Sequence, residues 1–218
     1  VSDGSDVAAV AKSVLGGIIS PYLENADGDF LKLLSLTNCE FDESHLLDTI
    51  SEIFTLSQSE PFPEHYLDEL ILPYKMPFGK NHPWYRAAVA QINAQIDACL
   101  TTAVKMAETA AYYDGKNADK CGAYAENTVG IIETLKNTLT DCEYNAIPQA
   151  LRAAKLPTLP RLDKSYAAAA EFSNLKADIN ERLKKLTETF YQTEEEINAD
   201  IENVRPPAEL LVLLVKQY

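Results

Sequence analysis

The amino-acid sequence predicts an all-α protein, a disulfide-linked helical bundle, and two observations indicate this fold class. Apolar residues recur three and four positions apart over long segments, the spacing that places side chains on one face of a helix. Alternation of apolar and polar residues, which is typical of a half-buried strand, occurs over no segment of comparable length. The periodic segments predict three long helices, at about residues 83–113, 122–146 and 163–203, and several short N-terminal helices.

The centre of the predicted bundle is an antiparallel pair of helices on either side of a glycine-containing turn at residues 114–117. The apolar stripes of the two helices are expected to face each other, because helices joined by a short turn pack as a hairpin. The first stripe consists of Tyr85, Val89, Ile92, Ile96, Cys99, Ala103, Met106, Ala110 and Tyr113. The second stripe consists of Tyr124, Thr128, Ile132, Leu135, Leu139, Cys142 and Ala146.

Turn and capping residues divide the N-terminal third of the chain into shorter helices. Asp27 or Asp29 is the expected cap of the second of these helices, because a carboxylate there can accept hydrogen bonds from the free N–H groups of the first turn. Asp42 or Ser44 is the expected cap of the third helix, which should end near Ser57. A short fourth helix fits between the prolines that follow.

Proline sets the remaining boundaries. Residues 73–83 contain three prolines with interleaved aromatic residues, which predicts an ordered connector rather than a helix. The longest stripe crosses residues 163–203 without glycine or proline, and Pro206 and Pro207 are predicted to end that helix. We therefore expect one domain over residues 1–218, made of a short-helix region (1–72), the connector (73–83) and a long-helix bundle (84–218).

The charge of the whole chain limits its partners. The formal net charge is −14, and the sequence pI is about 4.6. Nucleic acid is disfavoured as a partner, because phosphate binding requires a basic surface that releases counterions on contact. No apolar run approaches the roughly 20 residues that cross a bilayer, so no transmembrane segment is predicted.

Four cysteines form an even set that suits two disulfides in an oxidising compartment. The first residue is Val1 rather than methionine, which is compatible with a removed signal peptide. These two observations predict a secreted, extracellular protein. Four buried free thiols are the alternative.

The pairing of the cysteines depends on where the second central helix begins. A disulfide requires Cα atoms within about 4.4–6.8 Å. With a long connection over residues 114–122, Cys99 and Cys142 lie at equal distances from the turn, which leaves Cys39 to pair with Cys121. If the second helix begins directly after the turn, the first two cysteines are offset by about 13 Å along the axis and cannot bond. Poor helix-forming residues after the turn favour the longer connection.

Few residues suit metal or catalytic chemistry. Asp42 and His45 are three positions apart, as metal ligands on one helix face are, but a helix cap followed by an exposed histidine explains the pair better. The Asp-Gly-Asp of residues 27–29 matches part of a calcium loop and lacks its closing acidic residue. Gly-Lys-Ser/Thr, Gly-x-Ser-x-Gly and Cys-x-x-Cys motifs do not occur, so we predict no cofactor and no metal.

Phe78, Trp84 and Tyr85 are the predicted recognition surface, because aromatic residues supply contact area at low entropic cost. Their alternative role is ordinary core packing. The function expected from these observations is a secreted, non-enzymatic binding protein for an apolar small molecule or a protein partner. A structural subunit that self-associates is the second hypothesis, and an enzyme with a dispersed active site is the third.

Overall fold

The computed structural model describes residues 4–25, 27–39, 44–140, 142–163 and 165–218, and every regular element in this part of the chain is helical. The all-α prediction is therefore confirmed. The elements there are α1 (Gly4–Glu24), α2 (Gly28–Leu36), α3 (Ser44–Gln58), α4 (Pro63–Lys75), α5 (Pro83–Ala111), α6 (Ala118–Thr140), a 3-10 turn (Tyr144–Ala146), α7 (Ile147–Ala153), α8 (Ala167–Thr189) and α9 (Glu194–Gln217).

The chain folds into two compact units. Unit 1 consists of Val1–Pro77 and Asn198–Tyr218, and unit 2 consists of Phe78–Ile197. Helices α1 to α4 belong to unit 1, helices α5 to α8 belong to unit 2, and α9 begins in unit 2 and continues in unit 1. The single domain expected from the sequence stays a prediction.

Unit 1 has its own apolar core, to which α1 to α4 and the later part of α9 contribute. Asp27 caps α2, as predicted, because its Oδ1 accepts a hydrogen bond from the N–H of Phe30 at 2.9 Å. Helix α3 begins at Ser44, and Asp42, the other expected cap, lies outside the described residues. The buried core residues are Leu15, Ile19, Phe30, Leu33, Leu34, Cys39, Leu46, Ile50, Leu67, Leu214 and Val215.

Prolines interrupt fewer helices than the sequence predicts. Helix α4 continues through Pro73, and α9 continues through Pro206 and Pro207, so the prediction that the latter pair ends a helix is wrong. A proline inside a helix costs one backbone hydrogen bond, and burial of Pro207 offsets that loss in unit 1. Arg205 holds the same turn, because its Nε donates to the carbonyl oxygen of Tyr74 at 2.6 Å.

Unit 2 is built on α5, which packs against α6 on one side and α8 on the other. The predicted central hairpin is confirmed, since most of both stripes is buried. The buried stripe of α5 comprises Tyr85, Ile92, Ile96, Cys99, Ala103, Met106 and Ala110. The buried stripe of α6 comprises Tyr124, Thr128, Ile132, Leu135 and Leu139.

The third long helix of the prediction, residues 163–203, is in fact two helices, separated at residues 190–193. Thr193 and Glu196 form a capping box that starts α9: the Thr193 N–H donates to the Glu196 carboxylate at 2.8 Å, and the Glu196 N–H donates to Thr193 Oγ1 at 3.3 Å. Phe190 leaves the helical conformation at the end of α8 with its side chain buried. A capping box and a buried aromatic residue therefore break the helix without glycine or proline.

The predicted disulfides are not present, because no two cysteines lie near disulfide distance. The pairs Cys99–Cys142 and Cys39–Cys121 are therefore both wrong. Three of the thiols are buried and the fourth, that of Cys142, is half-buried. The alternative of free thiols is the one that the structure contains.

The start of α6 explains why the first predicted pair fails. Helix α6 begins at Ala118, and the N–H of Cys121 already donates to the carbonyl oxygen of Asn117 at 3.0 Å. The connection between the central helices is therefore the short one. With the short connection, Cys99 and Cys142 are offset along the helix axes rather than opposite each other.

Candidate functional site

The predicted recognition residues lie in an aromatic cluster at the start of α5. The ring of Phe78 lies 4.8 Å from that of Tyr144 and 5.7 Å from that of Tyr85, and both Phe78 and Tyr85 are buried. Trp84 is 39% exposed, and its ring lies 5.0 Å from the fully buried His82. The structure therefore brings the three predicted residues together with two of them in the interior, and a role in recognition stays a prediction.

His82 has a structural task in this cluster that the sequence analysis missed. Its Nδ1 accepts a hydrogen bond from the N–H of Trp84 at 3.1 Å, so the imidazole caps α5 next to the first-turn residue Pro83. Burial raises the pKa of Tyr85 and of Tyr144, so both hydroxyl groups stay neutral at physiological pH. The contacts of this cluster are therefore those that cap α5 and pack its first turn.

A polar network joins α5 to one face of α8. Arg182 Nε donates to both carboxylate oxygens of Asp178 at 3.1 and 3.0 Å, and Arg182 Nη1 donates to Gln95 Oε1 at 3.1 Å. Thr102 Oγ1 donates to the same Asp178 carboxylate at 3.1 Å. The hydrogen bond from Arg182 lowers the pKa of Asp178, and the one from Thr102 lowers it further. The charges of Arg182 and Asp178 are therefore paired with each other, and both side chains also have neutral hydrogen-bond partners.

Cys99 is fully buried between these helices. Desolvation raises the pKa of its thiol from 9.0 to about 11, although the nearby Arg182 acts in the opposite direction. A reactive cysteine needs a lowered pKa and solvent access, and Cys99 has neither. The thiol is therefore an inert part of the core.

The opposite face of α8 lies beside the segment that connects α7 to α8, residues 154–166, which we call the crossover segment. The hydroxyl of Tyr113 holds one end of it, since it donates to the carbonyl oxygen of Lys116 at 2.9 Å and accepts from the N–H of Asp163 at 2.8 Å. Asn117 Nδ2 also donates to the carbonyl oxygen of Arg161 at 2.8 Å. The turn after α5 therefore fixes the crossover segment.

Gly115 is required in that turn for lack of space. A Cβ atom at this position would lie 2.6 Å from the hydroxyl oxygen of Tyr113 and 2.7 Å from the adjacent ring carbon. Such distances are shorter than any ordinary contact, and the Tyr113 ring is held by its two hydrogen bonds. The position therefore accepts only glycine without displacing the tyrosine.

Two grooves lie between the crossover segment and α8. One has a volume of about 890 Å³ and is lined by Leu159 to Asp163 with Lys116 and the start of α8. The other has a volume of about 670 Å³ and lies between Leu151 to Leu156 and the later part of α8. The α8 residues that line the two grooves are Ala169, Ala170, Ser173, Asn180, Leu183, Lys184 and Thr187. Their spacing places all of them on one face of α8, so the two grooves follow the same line.

Basic side chains concentrate along this line. We call Lys116, Arg152, Lys155, Arg161 and Lys184 the crossover strip; all five line the two grooves and are exposed. The sequence analysis missed the strip, although a signal was present: eight of the 19 lysine and arginine residues lie within residues 152–185. The crossover strip is the candidate site because it places five exposed positive charges along two adjacent grooves.

The two units carry very different charge. Unit 1 contains 17 acidic and 5 basic residues, for a net charge of −12, whereas unit 2 contains 16 acidic and 14 basic residues, for a net charge of −2. Most of the net charge of the whole chain, −14, therefore comes from unit 1. Unit 2 is nearly neutral, with a basic strip on one side of α8.

Two further features of the described residues bear on function. Among them, no three histidine, cysteine or carboxylate side chains are arranged so that they could hold a metal ion. Asp42, which the sequence analysis considered together with His45 as a metal ligand, lies outside the described residues. Within the same range, no helix combines the length and the apolar character needed to cross a membrane.

Two proteins are similar to this chain over its whole length. The chain is 22% identical over 227 residues to an ATP-dependent helicase/nuclease subunit from Acetivibrio thermocellus. It is 20% identical over 231 residues to the protein of the same name from Oceanobacillus iheyensis. Both alignments cover 100% of this chain and 18% of the relative, so the chain spans less than a fifth of the curated relatives that it matches. No protein-family profile matches the sequence.

Proposed function

We propose that this chain acts as a non-catalytic helical module of a helicase/nuclease-type protein, lying beside the nucleic acid while other parts carry out ATP-dependent unwinding and cleavage. The observation that carries the proposal is the coverage of the two alignments, which include the whole of this chain and the same fraction of both relatives. A similarity of this extent in proteins of two organisms supports a shared role for the matched stretch.

The sequence itself supports the non-catalytic part of the proposal. ATP-dependent helicases bind nucleotide phosphates, and the Gly-Lys-Ser/Thr motif that cradles phosphates is absent from this sequence. The fully buried His82 and the high pKa of Cys99 leave neither side chain suited to general acid–base or nucleophilic chemistry. We therefore assign support and positioning, rather than catalysis, to this chain.

The charge of unit 2 supports the nucleic-acid part. The expectation that nucleic acid is no partner came from the net charge of the whole chain, whereas contact with a polyanion depends on local charge. Unit 2 has 14 basic residues against 16 acidic ones, and its basic residues are not evenly spread. The two predictions compete, and a binding measurement decides between them.

The deciding experiment uses fluorescence anisotropy of labelled single-stranded and duplex DNA with the purified chain at about 20–200 mM salt, a range over which electrostatic binding changes strongly. We expect binding with a dissociation constant on the order of 1–100 µM at low salt, which is the range of non-specific electrostatic binding. ATP hydrolysis and DNA cleavage are expected to stay at the level of the buffer. Absence of binding at the lowest salt, or turnover of ATP by the chain alone, would overturn the proposal.

The secreted binding protein stays a prediction, and its main support was the pair of disulfides. Intact mass after alkylation in denaturant, with and without prior reduction, tests this directly. The helicase/nuclease-type module predicts four alkylated cysteines in both samples, because all four thiols are free. Alkylation that requires reduction would instead favour an oxidising compartment and the secreted protein.

A further inference from the structure

We infer that the crossover strip binds the backbone of single-stranded nucleic acid along the two grooves between the crossover segment and α8. The inference rests on the proposed function and assigns a site and a ligand class to it. Three features of the strip carry the argument: its charge, its length and the aromatic side chains at its two ends.

Most of the positive side chains of the strip are not paired with carboxylates of the described residues. Among the described residues, the side chains of Lys116, Lys155 and Arg161 form no ion pair. Lys184 pairs only with Glu188, at 3.6 Å, and both side chains are more than 60% exposed. An exposed pair of this kind contributes little and exchanges readily for a phosphate.

The acidic residues of the two grooves are already engaged. The Oδ1 of Asp163 accepts hydrogen bonds from the N–H and the hydroxyl of Ser165 at 3.0 and 2.8 Å, which lowers the pKa of that carboxyl. Glu188 is the partner of Lys184 in the second groove. Five cations and two carboxylates line the two grooves, so the lining of the grooves carries a net charge of +3, whereas the whole chain carries −14.

The strip has the length of a several-nucleotide site. Ala169 in the first groove and Lys184 in the second are fifteen positions apart on α8. At 1.5 Å per residue, this separation is about 22 Å along the helix axis. Because the lining residues share one face of α8, a single extended strand can contact both grooves.

Exposed tyrosines lie at both ends of the strip and favour a single strand over a duplex. Tyr166 ends the crossover segment and is 38% exposed, and Tyr191 follows α8 and is 55% exposed. The carbonyl oxygen of Tyr191 accepts a hydrogen bond from Arg152 at 3.4 Å, so the backbone of Tyr191 is next to a residue that lines the second groove. A basic groove with aromatic platforms is the arrangement by which proteins bind single strands without sequence preference.

The test compares salt dependence in matched variants of the full chain. For single-stranded DNA, five phosphate contacts predict a slope of log K against log salt of about −3.5. The variant R152Q/K155Q/K184Q is expected to bind on the order of 10- to 100-fold more weakly at about 50 mM salt, with a slope shallower by about 2. The control K80Q/R86Q/K105Q removes the same charge from unit 2 outside the strip and is expected to bind as the unmodified chain does.

A second variant tests the aromatic contribution. Tyr191→Ala is expected to weaken single-strand binding by about 5- to 100-fold while duplex binding is unchanged. Equal losses in the strip variant and its control, or tighter binding of duplex than of single strand, would overturn the inference and leave the proposed function standing. Failure of the unmodified chain to bind any DNA would overturn the proposed function itself. Circular dichroism melting of each variant verifies that the fold is retained.

Discussion

Unit 1 and unit 2 are both helical, yet they differ in net charge and in where their cations lie. In unit 1, Lys75 pairs with Glu209 at 3.4 Å, Lys216 pairs with Asp68 at 2.6 Å, and Arg205 donates to a backbone carbonyl. These three of the five cations of unit 1 therefore make internal contacts, and the net charge of the unit is −12. In the described part of unit 2, most cations of the crossover strip form no ion pair. The sign of the whole-chain charge therefore says little about the local charge that a binding partner contacts.

The units also differ in what holds them together. Unit 1 buries side chains from short helices in one aliphatic and aromatic cluster. Unit 2 packs three long helices side by side, with ion pairs to α5 from α6 (Lys136 to Asp97 at 2.7 Å) and from α5 to α8 (Lys105 to Glu171 at 3.1 Å). Four changes test this difference, and the largest effects are expected in the two cores.

Phe30→Ala in unit 1 and Phe172→Ala in unit 2 are each expected to lower the free energy of unfolding by about 3–5 kcal/mol, because both rings are almost fully buried. Chemical denaturation followed by circular dichroism measures the loss. If the units unfold independently, each variant shifts one of two transitions. A single transition that both variants shift equally would show that the two units unfold together.

Alkaline pH is expected to weaken unit 2 through Cys99, by about 2 kcal/mol between pH 9 and pH 11. The unfolded chain releases the thiol proton near pH 9, whereas the folded protein keeps it to about pH 11. Unfolding therefore releases a proton in this window, and stability falls as the pH rises. Cys99→Ala should flatten this part of the pH profile, and an unchanged slope in the variant would contradict the assignment. Well below pH 9 the two profiles should run parallel.

Asp27→Ala removes the cap of α2 and is expected to cost unit 1 about 1 kcal/mol, because the N–H of Phe30 loses its partner. Denaturant titration of the variant gives the difference. Asp29→Ala is the matched control, since this neighbouring carboxylate lies in the first turn of α2 without being the cap. Equal losses in both variants would mean that charge at the helix start, rather than the hydrogen bond, is responsible.

Asp178→Asn is expected to have the smallest of the four effects, below about 1 kcal/mol, because the Asp178 side chain is 41% exposed and its interaction with Arg182 is screened by solvent. The sign follows from the lowered pKa of Asp178, which means that this contribution is present above the ordinary pKa of 3.8 and is lost as the pH falls. Glu181→Gln, in a more exposed pair with Lys185, should change stability less. Thermal melts at neutral pH and at a pH below 3.8 measure both variants.

The outcome of sequence prediction differed between the helices for physical reasons. Helix α5 was predicted closely because its stripe is regular and Pro83 lies at its first turn, where a missing N–H costs nothing. The break at residues 190–193 was missed although the Thr193–Glu196 capping box is visible in the sequence. Pro206 and Pro207 misled the prediction in the other direction, since tertiary burial outweighed helix propensity.

The candidate site was harder to predict than the fold. The aromatic residues Phe78 and Tyr85 are conspicuous in the sequence, but only packing determines that their rings face inward. The crossover strip gathers residues from the turn after α5, from α7, from the crossover segment and from α8, and Lys116 and Lys184 are 68 positions apart in the sequence. A stretch rich in lysine and arginine could have been noticed, but its alignment along one helix face requires the structure.

The absence of a side chain at Gly115 in the turn after α5 determines whether the adjoining crossover segment stays in place. Any side chain at Gly115 pushes the Tyr113 ring aside and breaks the hydroxyl contacts that tether the crossover segment. A library of all amino acids at this position, selected for retention of the tether, should return glycine alone. Gly115→Ala should therefore displace Tyr113 and detach this end of the crossover segment, while the helical core stays intact.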